Sequence, residues 1–140
     1  MPNRNQSHYI HHPKLRGEWA ELHFILRAIE LGLILAKPFG DNAPYDLVVD
    51  HHGHFLRIQV KCTLQRREKN SYRCVIDHNG TPYTPDQIDF FAAYVIPTDT
   101  FYILPLAATN HQPDILLTPH RKNSKYAQYK EAWHLLMAGL

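Results

Sequence analysis

The chain has 140 residues, of which 44% are hydrophobic and 20% are charged, and its formal net charge is +2. This composition is typical of one soluble globular domain, and the small positive charge permits nucleic-acid binding without indicating it. No run approaches the length of a membrane span, and residues 1–12 contain no apolar signal-peptide region, which argues against membrane and secreted proteins. We therefore expect a cytoplasmic protein with a single domain over residues 1–140.

Residues 1–13 are polar and rich in His, Asn and Arg, which predicts a flexible N-terminal arm. An amphipathic helix is predicted over residues 14–32 from apolar residues at helical spacing. The stripe expected to face the core consists of Leu15, Trp19, Leu22, Leu26, Ile29 and Leu33. Two acids, Glu18 and Glu21, flank this stripe, and amphipathicity alone favours Glu18 as the acid that faces a sheet.

A short apolar strand is expected over residues 33–38, and residues 39–44 have the Gly, Asp, Asn and Pro content of a loop. The chain from Pro44 to Cys62 then alternates apolar and polar residues on either side of His51-His52-Gly53-His54. That alternation predicts two half-buried strands joined as a hairpin.

The hairpin register decides which polar side chains meet on its polar face. A two-residue or a four-residue loop places Asp46 opposite Gln59, with Lys61 two residues further along the same face. A three-residue loop would break this pairing. With either symmetric loop, an acid, an amide and a lysine converge on one side of an otherwise apolar hairpin.

The later chain predicts further strands at residues 71–76, 92–96 and 101–104, separated by a turn-rich loop at 77–85 and a turn at 97–100. Ser124 is expected to cap a last helix. The buried stripe of that helix would be Tyr126, Tyr129, Trp133, Leu136 and Met137. This order of elements predicts an α/β domain built on a mixed sheet of about five strands flanked by helices.

Asp46, followed by a hairpin and by Gln59-Val60-Lys61, resembles the metal-binding motif of the PD-(D/E)xK nuclease superfamily. The Gln-x-Lys form is similar to the PD-(D/Q)xK variant of bacterial group I intron homing endonucleases. The resemblance extends from about residue 14 to residue 105 and includes the segments 14–21 and 88–94. Two departures are Tyr45, which separates the proline from the aspartate, and Gln59, which stands where a carboxylate is usual.

This resemblance implies a restriction-endonuclease-like core and a Mg²⁺-dependent site, with Mn²⁺ as a substitute, that hydrolyses DNA phosphodiesters. It assigns metal binding to Asp46, Gln59, the backbone carbonyl of Val60 and the acid four residues after the helix glycine, Glu21. Glu21, Asp46, Gln59 and Lys61 would then be the catalytic residues. Gln59 removes one negative charge from the usual site, which should weaken metal affinity.

The expected partners are double-stranded DNA and a second copy of the chain, as a homodimer or homotetramer with the aromatic C-terminal third as its interface. The candidate DNA-binding residues are Lys14, Arg16, Arg66, Arg67, Lys69, Arg73, Arg121 and Lys122. Homing, restriction, repair and Holliday-junction-resolving roles stay open, as does a non-catalytic DNA-binding module that has lost activity through Gln59.

Two further groups of residues have plain structural interpretations. His51, His52 and His54 could hold a metal ion, but a solvated turn is favoured because neighbouring side chains on a strand point apart. Cys62 and Cys74, the only cysteines, could form a disulfide between neighbouring strands, but buried reduced thiols are favoured. Asp50 and Asp89 have no evident partner in the sequence and are expected to be surface or turn residues.

Overall fold

The computed structural model describes residues 10–137. One long helix, α1 (Pro13–Glu30), precedes seven strands. The strands are β1 (Ile34–Ala36), β2 (Leu47–His51), β3 (His54–Thr63), β4 (Tyr72–Val75), β5 (Phe90–Val95), β6 (Thr100–Pro105) and β7 (Asp114–Leu117). Residues 1–9 of the expected N-terminal arm lie outside the described part of the chain.

Five strands form the main sheet, in the order β1-β2-β3-β5-β6. The β3–β5 pair is parallel, whereas the β1–β2, β2–β3 and β5–β6 pairs are antiparallel. This confirms the expected α/β class with a mixed five-stranded sheet. Strands β4 and β7 form a separate antiparallel pair, and β7 was not predicted from the sequence.

The main sheet is covered by apolar residues on both of its faces. On one face, α1 and the C-terminal turns pack through Phe24 and Trp133 against Leu47 and Ile58. On the other face, the β4–β7 pair and the loop that contains Tyr83 cover Phe91 and Tyr102 among others. Burial on both sides explains why β5 has a continuous apolar sequence rather than an alternating one.

The expected core-facing stripe of α1 was wrong for four of its six residues, since only Leu33 is buried and Trp19 packs half-buried against the core. Leu15, Leu22, Leu26 and Ile29 are 52, 62, 55 and 58% exposed. The face that packs on the sheet is instead formed by Ala20, Phe24 and Ala28. The small alanines let the helix lie close to the sheet, and Phe24 fills the space between helix and sheet. The four larger apolar residues therefore face outward.

The predicted last helix was also wrong, because residues 127–129 and 133–136 form two separate 3₁₀ turns. Lys130 is extended and Glu131 has a φ of 50°, so the backbone between these turns is not helical. The Ser124 hydroxyl donates to the Arg121 carbonyl and does not cap a helix. Tyr126 and Trp133 are nonetheless buried, as predicted.

Residues 10–137 contain no helix that combines the length and the apolar character needed to cross a membrane.

Candidate active site

The hairpin formed by β2 and β3 has the two-residue loop that the sequence allowed. Leu47 pairs with Ile58 and His51 with His54, which leaves His52 and Gly53 in the turn. Both turn residues have positive φ, 52° and 83°, as two-residue hairpin loops of type I′ require. The Asp50 carboxylate accepts a hydrogen bond from the Gly53 amide at 3.0 Å, which confirms its role as a turn residue.

The pairing of β2 with β3 ends at Leu47 and Ile58 and does not reach Asp46. Asp46 and Gln59 are therefore not the regular cross-strand pair that was expected. The Asp46 amide donates to the Ile58 carbonyl at 2.9 Å, although Ile58 is already the partner of Leu47. Two residues of one strand therefore face a single residue of the other, as in a β-bulge, which re-aims the side chain.

The re-aimed Asp46 carboxylate takes the place that a continuing β2 strand would have occupied. Its Oδ2 accepts a hydrogen bond from the Val60 amide at 2.8 Å. Beyond Ile58, β3 keeps its parallel neighbour β5 but has lost its β2 neighbour. The side chain of Asp46 is thus fixed at the point where β2 and β3 separate. Gln59 of β3 lines the same cleft.

The environment of Asp46 is unfavourable for a bare negative charge. Burial, the largest cause, and the charge of Glu21 raise the pKa of Asp46 to about 6, against the hydrogen bond from Val60. The ammonium groups of Lys61 and Lys37 act in the opposite direction but do not cancel the rise. A carboxylate whose charge is poorly compensated by the protein is one that a bound cation would stabilise.

Two clefts meet at Asp46. The helix-side cleft, of about 450 Å³, is lined by α1 and the β1–β2 loop, including Glu18, Glu21, Lys37 and Asp46. The loop-side cleft, of about 480 Å³, is lined by residues that include Asp46, Gln59 and Tyr83. Asp46 therefore has open space on two sides, one facing the helix acids and the other facing Gln59.

Both helix acids line the helix-side cleft, but their surroundings differ. Glu18 is exposed, whereas Glu21 is half-buried and its Oε1 accepts a hydrogen bond from Lys37 Nζ at 3.3 Å. The charge of Glu21, and not that of Glu18, acts on Asp46. The metal-binding role of Glu21 stays a prediction from the resemblance.

Lys61 lies on β3 two residues after Gln59, paired with Ala93 of β5. Its ammonium donates to the Asp77 carbonyl at 3.2 Å and lies 5.3 Å from the centre of the Tyr83 ring. Burial lowers the pKa of Lys61, and the charge of Asp46 is among those that oppose the fall. Lys61 is not part of the lining of either cleft, although Tyr83 is.

The donor chemistry around Asp46 suits a hard divalent cation. Two carboxylates that repel each other, an amide carbonyl on Gln59 and the backbone carbonyl of Val60 are all oxygen donors, which Mg²⁺ prefers. Within residues 10–137, no three side chains of His, Cys, Asp or Glu are placed to hold a metal ion. The predicted metal site contains only two carboxylates, Glu21 and Asp46, and its other ligands are carbonyl oxygens, so it needs no group of three such side chains.

The candidate DNA-binding cations divide into exposed and engaged side chains. Arg73 pairs with Asp114 at 2.8 Å and contacts Gln65, so its guanidinium is committed within the protein. Arg16 donates to the Ile10 carbonyl at 3.3 Å and interacts with Cys62. The exposed members of the set are Lys14, Arg66, Arg67, Lys69, Arg121 and Lys122, of which Arg66 also donates a hydrogen bond to the Asn70 side chain.

Sequence reasoning missed three features around the site. Lys37, which pairs with Glu21, and Tyr83, which contacts Lys61, were not singled out. Asp89 was expected to lack a partner, but it forms an ion pair with Arg57 at 3.0 Å. The pairing joins β3 to the segment before β5, and no spacing rule in the sequence links residues so far apart.

The histidines lie in the expected hairpin turn, whereas only Cys74 of the two cysteines is fully buried and Cys62 is half-buried. His52 and His54 are exposed in the hairpin turn. Cys62 and Cys74 are free thiols, and burial raises the pKa of Cys74 to about 12, which makes it unreactive.

Comparison with known proteins identifies the chain through its family and its fold. Residues 11–136 match the family described as PD-(D/E)XK endonuclease. No curated protein matches the chain. A solved structure, the bacterial homing endonuclease I-Ssp6803I, is similar with a TM-score of 0.78 and 30% sequence identity, over 90% of this chain and 93% of that one. The family match spans nearly all of the described residues, and the chain belongs to the PD-(D/E)XK endonuclease family.

Proposed function

We propose that the protein is a Mg²⁺-dependent endonuclease that hydrolyses phosphodiester bonds of double-stranded DNA, and that Asp46 lies at the centre of its active site. The observation that carries the proposal is the placement of Asp46 where two clefts meet, fixed by the Val60 amide and repelled by Glu21. Glu21 lines one of these clefts and Gln59 the other, so a cation bound at Asp46 would have an oxygen donor on each side.

Asp46, Glu21, Gln59 and the Val60 carbonyl are the residues that would hold the cation. When bound, a divalent cation supplies Lewis-acid stabilisation of the charge that develops on the phosphate. Asp46 holds its orientation through the Val60 amide, so its second oxygen is available to a ligand. Lys61 supplies a positive charge next to Asp46 that orients water and stabilises negative charge during hydrolysis.

Gln59 gives this site one negative charge fewer than a site with two motif carboxylates. The remaining pair, Asp46 and Glu21, carries two negative charges, and Lys37 partly neutralises Glu21. We therefore propose that the phosphate of bound DNA contributes a ligand and that metal affinity rises when DNA is present.

Exposed cations in two loops are proposed to hold the DNA backbone. One group, Arg66, Arg67 and Lys69, lies between β3 and β4, and the other, Arg121 and Lys122, lies after β7. Phosphate contacts of this kind give affinity that depends on salt concentration but carry no sequence information.

The protein is further proposed to act as a homodimer or homotetramer, because one site cuts one strand and two sites related by a two-fold axis fit a duplex. The C-terminal aromatic residues do not provide the interface, since Tyr126 and Trp133 are buried in the core. The exposed residues Leu15, Leu26 and Ile29 of α1 are the better surface for a second copy, because they lie outside the lining of both clefts. Leu22 lines the helix-side cleft and is therefore left out of this surface.

A second candidate function is a non-catalytic DNA-binding module, which the presence of Gln59 in place of a carboxylate favours. Nicking of supercoiled plasmid separates the two proposals. We expect conversion to nicked and linear DNA with Mg²⁺ or Mn²⁺, none with EDTA, and none with Asp46→Ala, while DNA binding by that variant persists. Plasmid that stays intact with bound wild-type protein would instead support the binding module. A preference for four-way junctions over duplexes would identify a resolvase-like enzyme.

A further inference from the structure

We infer that Tyr83 is a positioning residue for Lys61, acting through the face of its aromatic ring. This inference rests on the proposed endonuclease function, in which Lys61 supplies positive charge beside Asp46. Tyr83 was not identified by the sequence motif, and it lies in the loop between β4 and β5, outside α1 and β3, which carry Glu21 and Gln59.

The ammonium of Lys61 is held from two directions by the loop between β4 and β5. The Asp77 carbonyl accepts its hydrogen bond at 3.2 Å, and the ring centre of Tyr83 lies 5.3 Å from Nζ. A lysine within about 6 Å of a ring centre is attracted by the negative charge of the ring face. A flexible four-carbon side chain thereby has a defined direction before substrate arrives.

The loop that supplies both contacts is fixed by a tight turn. The amide and carbonyl of His78 bond to those of Thr81 at 2.9 and 3.0 Å. Asn79 and Gly80 between them have φ values of 49° and 85°, a combination that Asn-Gly readily adopts. Asp77 and Tyr83 therefore flank a rigid turn, which keeps the carbonyl and the ring at set positions around the lysine.

The position of Tyr83 also connects Lys61 to the cleft. Tyr83 lines the loop-side cleft beside Asp46 and Gln59, while its ring packs edge-on against Phe91 at 5.6 Å between centres. Burial raises the pKa of Tyr83 to about 12, so the phenol stays neutral next to the two aspartates. A neutral ring braced by Phe91 holds the ammonium at the edge of this cleft without adding a negative charge.

Single-turnover nicking with saturating protein tests the role of the ring. Tyr83→Phe keeps the ring and should cleave within about twofold of wild type, whereas Tyr83→Leu should lose about tenfold in the cleavage rate. The Kd for DNA should be unchanged in both variants. Equal rates for the two variants would overturn the inference, and so would an equal loss in both, because the hydroxyl would then be the active part.

A shape-matched series covers the case in which Tyr83→Leu does not fold. Fluorinated phenylalanines at position 83 keep the size of the ring while they weaken the charge on its face. The cleavage rate should fall stepwise with fluorination. A rate that is constant across folded members of the series would contradict the inference.

An NMR readout is independent of cleavage. The side-chain methylene next to Lys61 Nζ should show an upfield ring-current shift in wild type and Tyr83→Phe, and lose it in Tyr83→Leu. Lys125, which lies 5.4 Å from the ring centre of Tyr126, serves as the unchanged reference. A wild-type protein that shows the shift but does not cleave DNA would refute the proposed function and leave the contact standing, whereas absence of the shift would refute the contact.

Discussion

At the scale of single residues, the Arg57–Asp89 pair is a structural support that a motif search would not separate from catalytic acids. The Asp89 carboxylate accepts hydrogen bonds from the Arg57 amide at 2.8 Å and from its guanidinium at 3.0 Å. Arg57 also donates to the backbone carbonyls of Pro85 and Asp86. This network fastens the chain before β5 to β3, the strand that carries Gln59 and Lys61.

Asp89→Asn should lower the free energy of unfolding by about 1–2 kcal/mol at neutral pH, because it removes a charge-assisted pair. Burial raises the pKa of Asp89, but the hydrogen bonds from Arg57 outweigh it and hold the pKa below the ordinary value. The stabilisation is therefore present above the unfolded pKa, about 3.9, and is lost as pH falls through the folded value. Thermal denaturation from about pH 7 to pH 2 measures this.

Glu68→Gln, at an exposed carboxylate, is the matched control for that series. Its melting temperature should stay close to wild type throughout. An Asp89→Asn deficit that persists unchanged to about pH 2 would show that the pair stabilises through something other than the charge of the carboxylate.

A substitution of Lys61 distinguishes an effect on DNA cleavage from an effect on DNA binding. Lys61→Ala should cut DNA more slowly by about 10²–10⁴-fold, because it removes a positioned charge from the reacting phosphate. Affinity for DNA should change little, since one lysine supplies at most one phosphate contact. Rates from single-turnover nicking and Kd from salt titration give the two quantities separately.

The control for Lys61 is the combined neutralisation of Arg66, Arg67 and Lys69. Binding by this variant should weaken for all sequences, with a shallower salt dependence, while cleavage of fully bound DNA stays near normal. Parallel loss of binding and cleavage in both variants would make Lys61 a phosphate contact rather than a catalytic residue.

At the scale of elements, the hairpin was predicted well because its strands bury only one face. A period-two pattern then fixes which residues share a side, so Leu47 and Val49 were placed correctly on the buried face with Ile58 and Val60. The β-bulge at Asp46 was not predictable, since it depends on how the preceding loop leaves the sheet. The hydrogen bond from Val60 to Asp46 is a consequence of that bulge.

Helix α1 was located correctly, but its orientation was not, because the sequence carries two apolar faces. The larger one, marked by Leu22 and Leu26, gave the stronger pattern, whereas the sheet is contacted by Ala20, Phe24 and Ala28. Which face packs is decided by how closely the helix can approach the sheet. The spacing of the C-terminal aromatic residues predicted a helix that does not form. Short 3₁₀ turns bury the same side chains, so the spacing alone did not distinguish the two structures.

At the scale of the whole molecule, the exposed face of α1 predicts self-association. Leu26→Glu combined with Ile29→Glu should convert a dimer or tetramer to a monomer, because charges replace apolar contacts in the proposed interface, outside the lining of both clefts. The monomer should still nick plasmid but lose most double-strand cleavage. Sedimentation equilibrium at micromolar concentration, with and without DNA, measures the assembly.

Leu116→Glu is the matched control, since Leu116 is 50% exposed on β7, away from α1. Its assembly should equal that of wild type. A wild-type protein that is monomeric both alone and on DNA would rule out the α1 interface, and so would an α1 variant that assembles normally.

The central claim, that Asp46 organises a divalent metal site, is tested most directly by a crystal of the protein with DNA and Mn²⁺. Anomalous diffraction should show a peak within about 2–2.5 Å of an Asp46 oxygen, with Gln59 and the Val60 carbonyl as further ligands and Glu21 bound directly or through water. A peak at the histidines of the β2–β3 turn, or none near Asp46 in a crystal with ordered DNA, would contradict the claim.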